Sequence, residues 1–143
     1  SSRLSFLRSN FHVLLPTRKP LNPTLKWFRY AFAHTLPDDV TAAAFETEVV
    51  PESRRVGRGP TRKESKIDFR AEHPPLLLVA GDADHIIPPS LVDKVYRQYQ
   101  KGPSVTELQH FDGRVHWICA EPGWEEVATA SEAFLREHLD AAR

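Results

Sequence analysis

The sequence predicts a mixed α/β fold, with a helical region followed by part of a parallel sheet. A continuous apolar run from Leu76 to Ala80 is bounded by Pro75 and Gly81, which is typical of a strand covered on both faces. From residue 75 onward the pattern is strand, loop, helix, strand, loop, helix. This alternation is the signature of a parallel α/β sheet.

Composition limits the classes of partner that the chain is expected to have. Of its 143 residues, 19 are basic and 19 acidic, so the net charge is zero. We therefore expect neither nucleic acid nor an anionic membrane surface as the main partner. One cysteine cannot form an internal disulfide, and no apolar run approaches a membrane span, so we expect a cytoplasmic protein. The chain contains no methionine, which indicates a piece of a longer or processed protein.

Residues 1–70 are expected to form a helical cap or lid. The first 20 residues carry scattered apolar side chains and predict one short helix. Asn22–Pro23 favours a helix start, and apolar side chains at helical spacing predict a helix over 23–36. Pro37 and the two acids after it predict a second helix that reaches Val49. Two short aromatic-rich helices suit a lid over another part of the molecule.

A basic segment, residues 50–66, connects this region to the predicted sheet. It carries six basic side chains together with glycine and proline. Such a segment could contact phosphate groups or nucleic acid, but zero net charge favours a solvated, mobile linker. Residues 67–69 predict a short strand-like return to the core.

Residues 71–143 are expected to form the carboxyl-terminal core. The predicted elements are a strand over 76–80, a loop over 81–89, a helix that Ser90 caps and Lys101–Gly102–Pro103 ends, a strand over 105–111, a turn over 112–116, and a helix from 122 or 124 to 139.

Two side chains with catalytic chemistry follow the two predicted strands. Asp84 lies just beyond the first strand, and His116 follows the turn after the second. Because adjacent parallel strands end at the same edge of a sheet, we expect these side chains to lie together. A carboxylate that accepts the Nδ1 proton of an imidazole leaves Nε2 free to act as a general base. The pair would supply two of the three groups of a nucleophile, base and orienter arrangement.

Three stretches resemble the carboxyl-terminal half of α/β-hydrolase-fold enzymes: Leu77–Pro89, Phe111–Trp117 and Pro122–Val127. In that family the orienting acid follows a late strand as Gly-x-x-Asp, and the catalytic histidine follows the final strand, often as Gly-x-x-His. Gly81 with Asp84 and Gly113 with His116 match these patterns, in the family's order of acid before histidine.

The resemblance implies a partial α/β-hydrolase fold, in which a helical cap precedes two parallel strands, each followed by a helix. It implies a serine-type hydrolase of esters, lactones or amides, with Asp84 and His116 as catalytic acid and histidine and with no metal or organic cofactor. We expect a small hydrophobic substrate. The expected substrate-binding residues are Trp27, Phe28, Phe32, His85, Ile86 and Trp117.

The family's Gly-x-Ser-x-Gly nucleophile motif does not occur in the sequence. We therefore expect the chain to be inactive alone, and to pair with a missing amino-terminal half or with a swapped copy of itself. A non-catalytic binding module derived from a hydrolase is the main alternative. A non-hydrolytic member of the fold, such as a dehalogenase or a cofactor-free oxygenase, is another.

Several side chains have competing interpretations. Asp82 could replace Asp84 as the acid if the turn is arranged differently. Cys119 could be a nucleophile, but burial as a small apolar group is the favoured interpretation. His110, His116 and Cys119 could form a zinc site, which the missing fourth ligand disfavours. His138 is expected to be solvated or to carry charge near a helix end.

Overall fold

The computed structural model describes residues 3–15, 17 and 19–140. Among these residues the fold is mixed α/β, with six helices and a two-stranded parallel sheet. The elements are α1 (Arg3–Leu14), α2 (Leu25–Phe32), α3 (Asp38–Glu48), α4 (Arg54–Gly57), β1 (Leu76–Gly81), α5 (Pro89–Tyr99), β2 (Thr106–Phe111) and α6 (Glu125–Asp140), with short 3-10 turns at Gly59–Thr61 and Lys63–Ser65.

The two strands pair in parallel over six residues, from Leu76 opposite Thr106 to Gly81 opposite Phe111. Both strands therefore end at the same edge of the sheet, as the strand and helix alternation predicts. Helix α5 makes the crossover between them and packs against both strands. The loops that follow Gly81 and Phe111 are consequently neighbours.

These two loops approach each other very closely at Gly81. A Cβ built on this residue would lie 2.7 Å from the backbone oxygen of Arg114. The amide of Ala83 donates a hydrogen bond to the same oxygen at 2.9 Å, and the amide of Asp82 donates to the oxygen of Phe111 at 3.0 Å. Backbone contacts therefore fix the position of the first loop against the second.

Helices α2 and α5 have boundaries that differ from the predicted ones, because different residues lie at their ends. Helix α2 begins at Leu25 because the Thr24 hydroxyl, and not Asn22, accepts the amide hydrogen of Trp27 at 3.2 Å. It ends at Phe32, four residues before its predicted end, and the Phe32 carbonyl accepts the amide hydrogen of Trp117 instead. Helix α5 begins at Pro89, so Ser90 lies inside its first turn and makes no capping hydrogen bond.

The amino-terminal helices form a small apolar cluster of their own. Phe28, Ala33 and Ala44 are buried at its centre, and Trp117 from the loop after β2 packs against them. Phe28 stacks on Phe32 with ring centroids 5.3 Å apart. The cluster therefore joins α2 and α3 to the edge of the sheet at which both strands end.

The prediction of a strand-like return to the core is wrong. Residues 67–69 form no strand, and Phe69 instead packs its ring edge against Tyr99. Residues 50–66 are mostly exposed; α4 and the two 3-10 turns lie within them, and Arg54 and Arg58 bond to the backbone after α1.

Strand β1 is less covered than its apolar sequence predicts. Only Ala80 and Gly81 are buried, whereas Leu76 to Val79 are half-buried. Its pairing with β2 is its only strand pairing among the described residues. No helix in the described part of the chain is long and apolar enough to cross a membrane.

We predict that Gly81→Ala destabilises the fold by about 1–3 kcal/mol, because the new Cβ must displace the backbone oxygen of Arg114. Urea denaturation followed by circular dichroism measures the change in the free energy of unfolding. Gly59→Ala is the matched control, since a Cβ there meets nothing within 4 Å. Equal stability of the two variants would contradict the prediction.

Candidate functional site

The carboxylate of Asp84 is buried and held in place by backbone donors. The residue is 7% exposed. Its Oδ1 atom accepts hydrogen bonds from the amides of Ile86 at 2.7 Å and Ile87 at 2.9 Å. Its own amide donates to the oxygen of Gly81 at 3.0 Å. One carboxylate oxygen is thus engaged by the loop, and Oδ2 remains for another partner.

That partner is His116, whose Nδ1 atom lies 2.8 Å from Oδ2 of Asp84. A carboxylate can only accept a hydrogen bond, so Nδ1 carries the proton and Nε2 of the neutral ring is left with its lone pair. The Phe32 ring meets the imidazole edge to face, with centroids 4.9 Å apart. The structure therefore brings together the two residues that the sequence predicts as acid and base.

A buried acid, Glu121, supports the loop that carries His116. The amide of Val115, a fully buried residue, donates a hydrogen bond to Oε1 of Glu121 at 3.2 Å. Glu121 is itself only 2% exposed, and burial raises the pKa of its carboxyl. Nothing in the sequence pattern distinguishes Glu121 from the exposed acids near it, and its supporting contact becomes visible only in three dimensions.

Arg114 braces the same loop against the start of α6. Its guanidinium donates to the carbonyl oxygens of Pro122 and Gly123, both at 2.7 Å, and pairs with Glu126 at 3.0 Å. Gly113 precedes it with a φ of 69°, a left-handed conformation that glycine adopts without strain. Hydrogen bonds to backbone groups therefore fix the turn that carries His116.

His116 opens onto an apolar cavity of about 390 Å³. The amino-terminal helices provide one wall, and the loops after β1 and β2 provide the other. Five of the six predicted substrate-binding residues lie in its lining. The cavity is lined by Asn10, Leu21, Pro23, Trp27, Phe28, Phe32, Glu48, Val49, Val50, Glu52, Ile86, His116 and Trp117.

Polar contacts from α1 complete the cavity wall, and the sequence did not predict them. The side-chain amide of Asn10 donates to the oxygen of Ile86 at 3.3 Å, and the Trp27 indole donates to the oxygen of Ser9 at 3.0 Å. Glu48 and Glu52 are the two acidic residues in the lining. These positions follow no apolar period in the sequence. Their place in the cavity wall therefore depends on how the helices pack.

His85, the sixth predicted substrate-binding residue, does not line the cavity. Its Nδ1 lies 2.8 Å from the oxygen of Tyr30, and its ring stacks on His34 with centroids 3.7 Å apart. His34 has a buried Nδ1 without a hydrogen-bond partner in the described structure. Burial lowers the pKa of His34, the nearby His85 lowers it further, and Asp84 opposes the shift.

A second acid and histidine arrangement joins β2 to the loop after β1 and to α5. Nδ1 of His110 is 2.6 Å from Asp82, and Nε2 is 3.0 Å from Asp93 of α5. The hydrogen bond to Asp82 is the main cause of the raised pKa of His110, and the bond to Asp93 adds to it. The carboxylate of Asp82 therefore meets His110, whereas that of Asp84 meets His116.

The expectation that Cys119 is buried is wrong, whereas His138 lies in the last turn of α6, near the helix end as expected. Cys119 is exposed, because the turns after His116 carry it to the surface instead of into the core. His138 is half-buried, and its Nε2 lies 3.0 Å from Glu107 of β2. Within the described residues, the one cluster with metal-ligating spacing is Glu107, Glu137 and His138, so His110, His116 and Cys119 do not converge.

No protein-family model, curated protein or solved structure matches this chain. The geometry of the site is therefore what indicates a function for this chain.

We predict that neutral His116 is the Nδ1–H tautomer, because Asp84 accepts the proton on Nδ1. In Asp84→Asn the amide can donate to Nδ1, so the Nε2–H tautomer should become populated. Nitrogen chemical shifts of the labelled imidazole distinguish the two forms. Asp82→Asn is the control, since Asp82 bonds to His110. An unchanged His116 spectrum in Asp84→Asn would exclude the assigned hydrogen bond.

We predict that His34 makes the fold less stable in acid. Its pKa in the folded state lies below the ordinary value of 6.5, so the unfolded chain takes up this proton first as the pH falls. The free energy of unfolding contributed by His34 is therefore present above pH 6.5 and is lost as the pH falls through it. In His34→Phe, urea denaturation between about pH 7 and pH 5 should give a smaller acid loss than in the wild type. Identical losses would refute this prediction.

Proposed function

We propose that this chain is the cap and carboxyl-terminal portion of a serine-type α/β-hydrolase, with His116 as general base and Asp84 as the residue that orients it. The observation that carries the proposal is the 2.8 Å hydrogen bond between Asp84 and His116 at the edge of an apolar cavity. A histidine held by a buried carboxylate and open to a cavity is the arrangement that nucleophilic catalysis requires.

In the proposed reaction, Nε2 of His116 takes the proton of a serine hydroxyl as the serine attacks a substrate carbonyl. The imidazolium then protonates the leaving group, and in the second half of the reaction the same nitrogen activates a water molecule. Asp84 stabilises the imidazolium and does not take its proton. Its 7% exposure strengthens that electrostatic contribution, because little water screens the carboxylate.

The cavity favours a small substrate with an apolar portion. Trp27, Phe28 and Phe32 supply aromatic surface, and Ile86 and Trp117 supply the wall beside His116. A cavity of about 390 Å³ is in the range of small-molecule sites. Glu48 and Glu52 in the lining would oppose a negatively charged group at their end of the cavity.

The sheet supports the proposal that further strands belong to this core. Leu76 to Val79 are apolar but only half-buried, and β1 pairs only with β2 in the described structure. Additional strands, from a missing amino-terminal half or from a swapped copy, would cover these side chains and bring the nucleophile and oxyanion donors that the sequence lacks.

A binding module without catalysis is the second candidate. The observation that favours it is the apolar cavity of about 390 Å³ itself, which could hold a hydrophobic ligand without any catalytic step. The two candidates differ in whether the coding sequence upstream of Ser1 encodes Gly-x-Ser-x-Gly in the same reading frame. That motif would favour the enzyme, and a start codon near Ser1 would favour the module.

We predict that the 143-residue chain alone does not turn over p-nitrophenyl esters, whereas a chain that includes an upstream nucleophile motif does. In the active form, His116→Ala and Asp84→Asn should each reduce kcat by roughly 10³-fold to 10⁴-fold, because the base is removed or held in the wrong tautomer. Spectrophotometric assay of nitrophenolate release measures both effects.

The matched control is His110→Gln, which removes a histidine that also pairs with a carboxylate but lies outside the cavity. It should leave kcat unchanged. Turnover by the 143-residue chain alone that disappears in His116→Ala would overturn the expectation that the nucleophile is elsewhere. Full activity of His116→Ala in the longer chain would overturn the role of His116.

A further inference from the structure

A second cavity, distinct from the one beside His116, is strongly basic. It has a volume of about 690 Å³, and four of its nine lining residues are arginines. We call it the arginine pocket. Its lining consists of Thr17, Pro20, Pro51, Glu52, Ser53, Arg54, Arg55, Arg58 and Arg62. The chain as a whole has no net charge, so this local excess of positive charge is not a consequence of its composition.

Two of the arginines are held in place by backbone acceptors. Nε of Arg54 donates to the oxygen of Lys19 at 3.0 Å, and Nη1 of Arg58 donates to the oxygen of Leu15 at 2.9 Å. Both acceptors lie in the segment after α1, which also contributes Thr17 and Pro20 to the lining. These contacts fix the guanidinium groups before any ligand arrives, which reduces the entropy lost on binding.

The pocket nevertheless has hydrogen-bond donors that the protein does not use. Nη1 of Arg54 is buried and has no acceptor within the described structure. The guanidinium groups of Arg55 and Arg62 make no hydrogen bond or ion pair with the described residues. A buried cationic donor without a partner is costly, and an anion that enters the pocket would satisfy it.

The one acidic residue in the lining offsets only part of this charge, because four arginines accompany a single carboxylate. Glu52 uses its Oε1 to accept the amide hydrogen of Ser53, its neighbour in sequence. Ser53 in turn accepts the amide hydrogen of Arg55 through its hydroxyl at 3.3 Å, which starts α4. The hydrogen bonds to this carboxylate and to this hydroxyl therefore fix the backbone that carries the arginines.

We propose that the arginine pocket binds a phosphate group of a small phosphorylated molecule. Guanidinium groups match the oxygens of phosphate in bidentate geometry. A dianion also balances the charge of several arginines better than a single carboxylate does. A volume of about 690 Å³ exceeds the space that one phosphate ion fills and leaves room for the molecule that carries it. This inference does not depend on the proposed hydrolase function, because the pocket contains neither Asp84 nor His116.

The test is isothermal titration of the 143-residue chain with inorganic pyrophosphate at constant ionic strength. Arg55→Gln and Arg62→Gln remove donors that make no contact required for folding, and each should weaken binding about tenfold. Arg136→Gln is the matched control, since Arg136 is an exposed arginine that pairs with Glu132 on α6. Its affinity for pyrophosphate should equal that of the wild type.

The results that would overturn the proposal are specific. Equal loss of affinity in all three variants would mean that pyrophosphate responds only to total charge. Acetate binding as tightly as pyrophosphate would mean that the pocket does not select phosphate over carboxylate. Absence of pyrophosphate binding by a wild-type chain with a native circular dichroism spectrum would exclude the site. Thermal unfolding of each variant separates loss of binding from loss of fold.

Discussion

The close approach of the loops after β1 and β2 is the constraint on which the rest of this structure depends. Gly81 lies against the backbone of Arg114 with no room for a side chain, and the amide of Ala83 donates to the same carbonyl. This backbone contact sets the separation of the two loops before any side chain is considered. Asp84 and His116 then meet at hydrogen-bond distance because each lies a fixed few residues beyond the contact.

The second consequence of that contact is the cavity. The loop after β2 continues from His116 to Trp117, whose amide donates to the carbonyl of Phe32 at the end of α2. The amino-terminal helices are thereby attached to the edge of the sheet at which the histidine emerges. Asn10 of α1 makes a parallel attachment to the loop after β1 through Ile86. Aromatic side chains that would otherwise form only a small helical cluster become the wall of the apolar cavity.

Glu52 lines both cavities, so the apolar cavity and the arginine pocket are neighbours that share a wall. Their chemistry is opposite: one presents aromatic and aliphatic surface beside an imidazole, and the other presents guanidinium groups. The boundary between them is also where residues 21 and 52 form an antiparallel bridge. The bridge holds the segment after α1 against the segment after α3, and it therefore supports both cavities at once.

The sequence alone determined the parallel pairing of the strands and the approximate extents of the strands and of α5 and α6. It also determined that Asp84 and His116 follow the two strands. These features could be predicted because apolar runs, glycine turns and helical periods are local properties of the sequence. It did not determine where α2 ends, because the Phe32 carbonyl is used by a residue 85 positions away along the chain. Nor did it predict that Glu121 would be buried, that Cys119 would be exposed, or that the basic segment would fold onto α1 into a pocket. Those outcomes depend on which backbone groups meet after the chain has folded, and only the tertiary structure decided them.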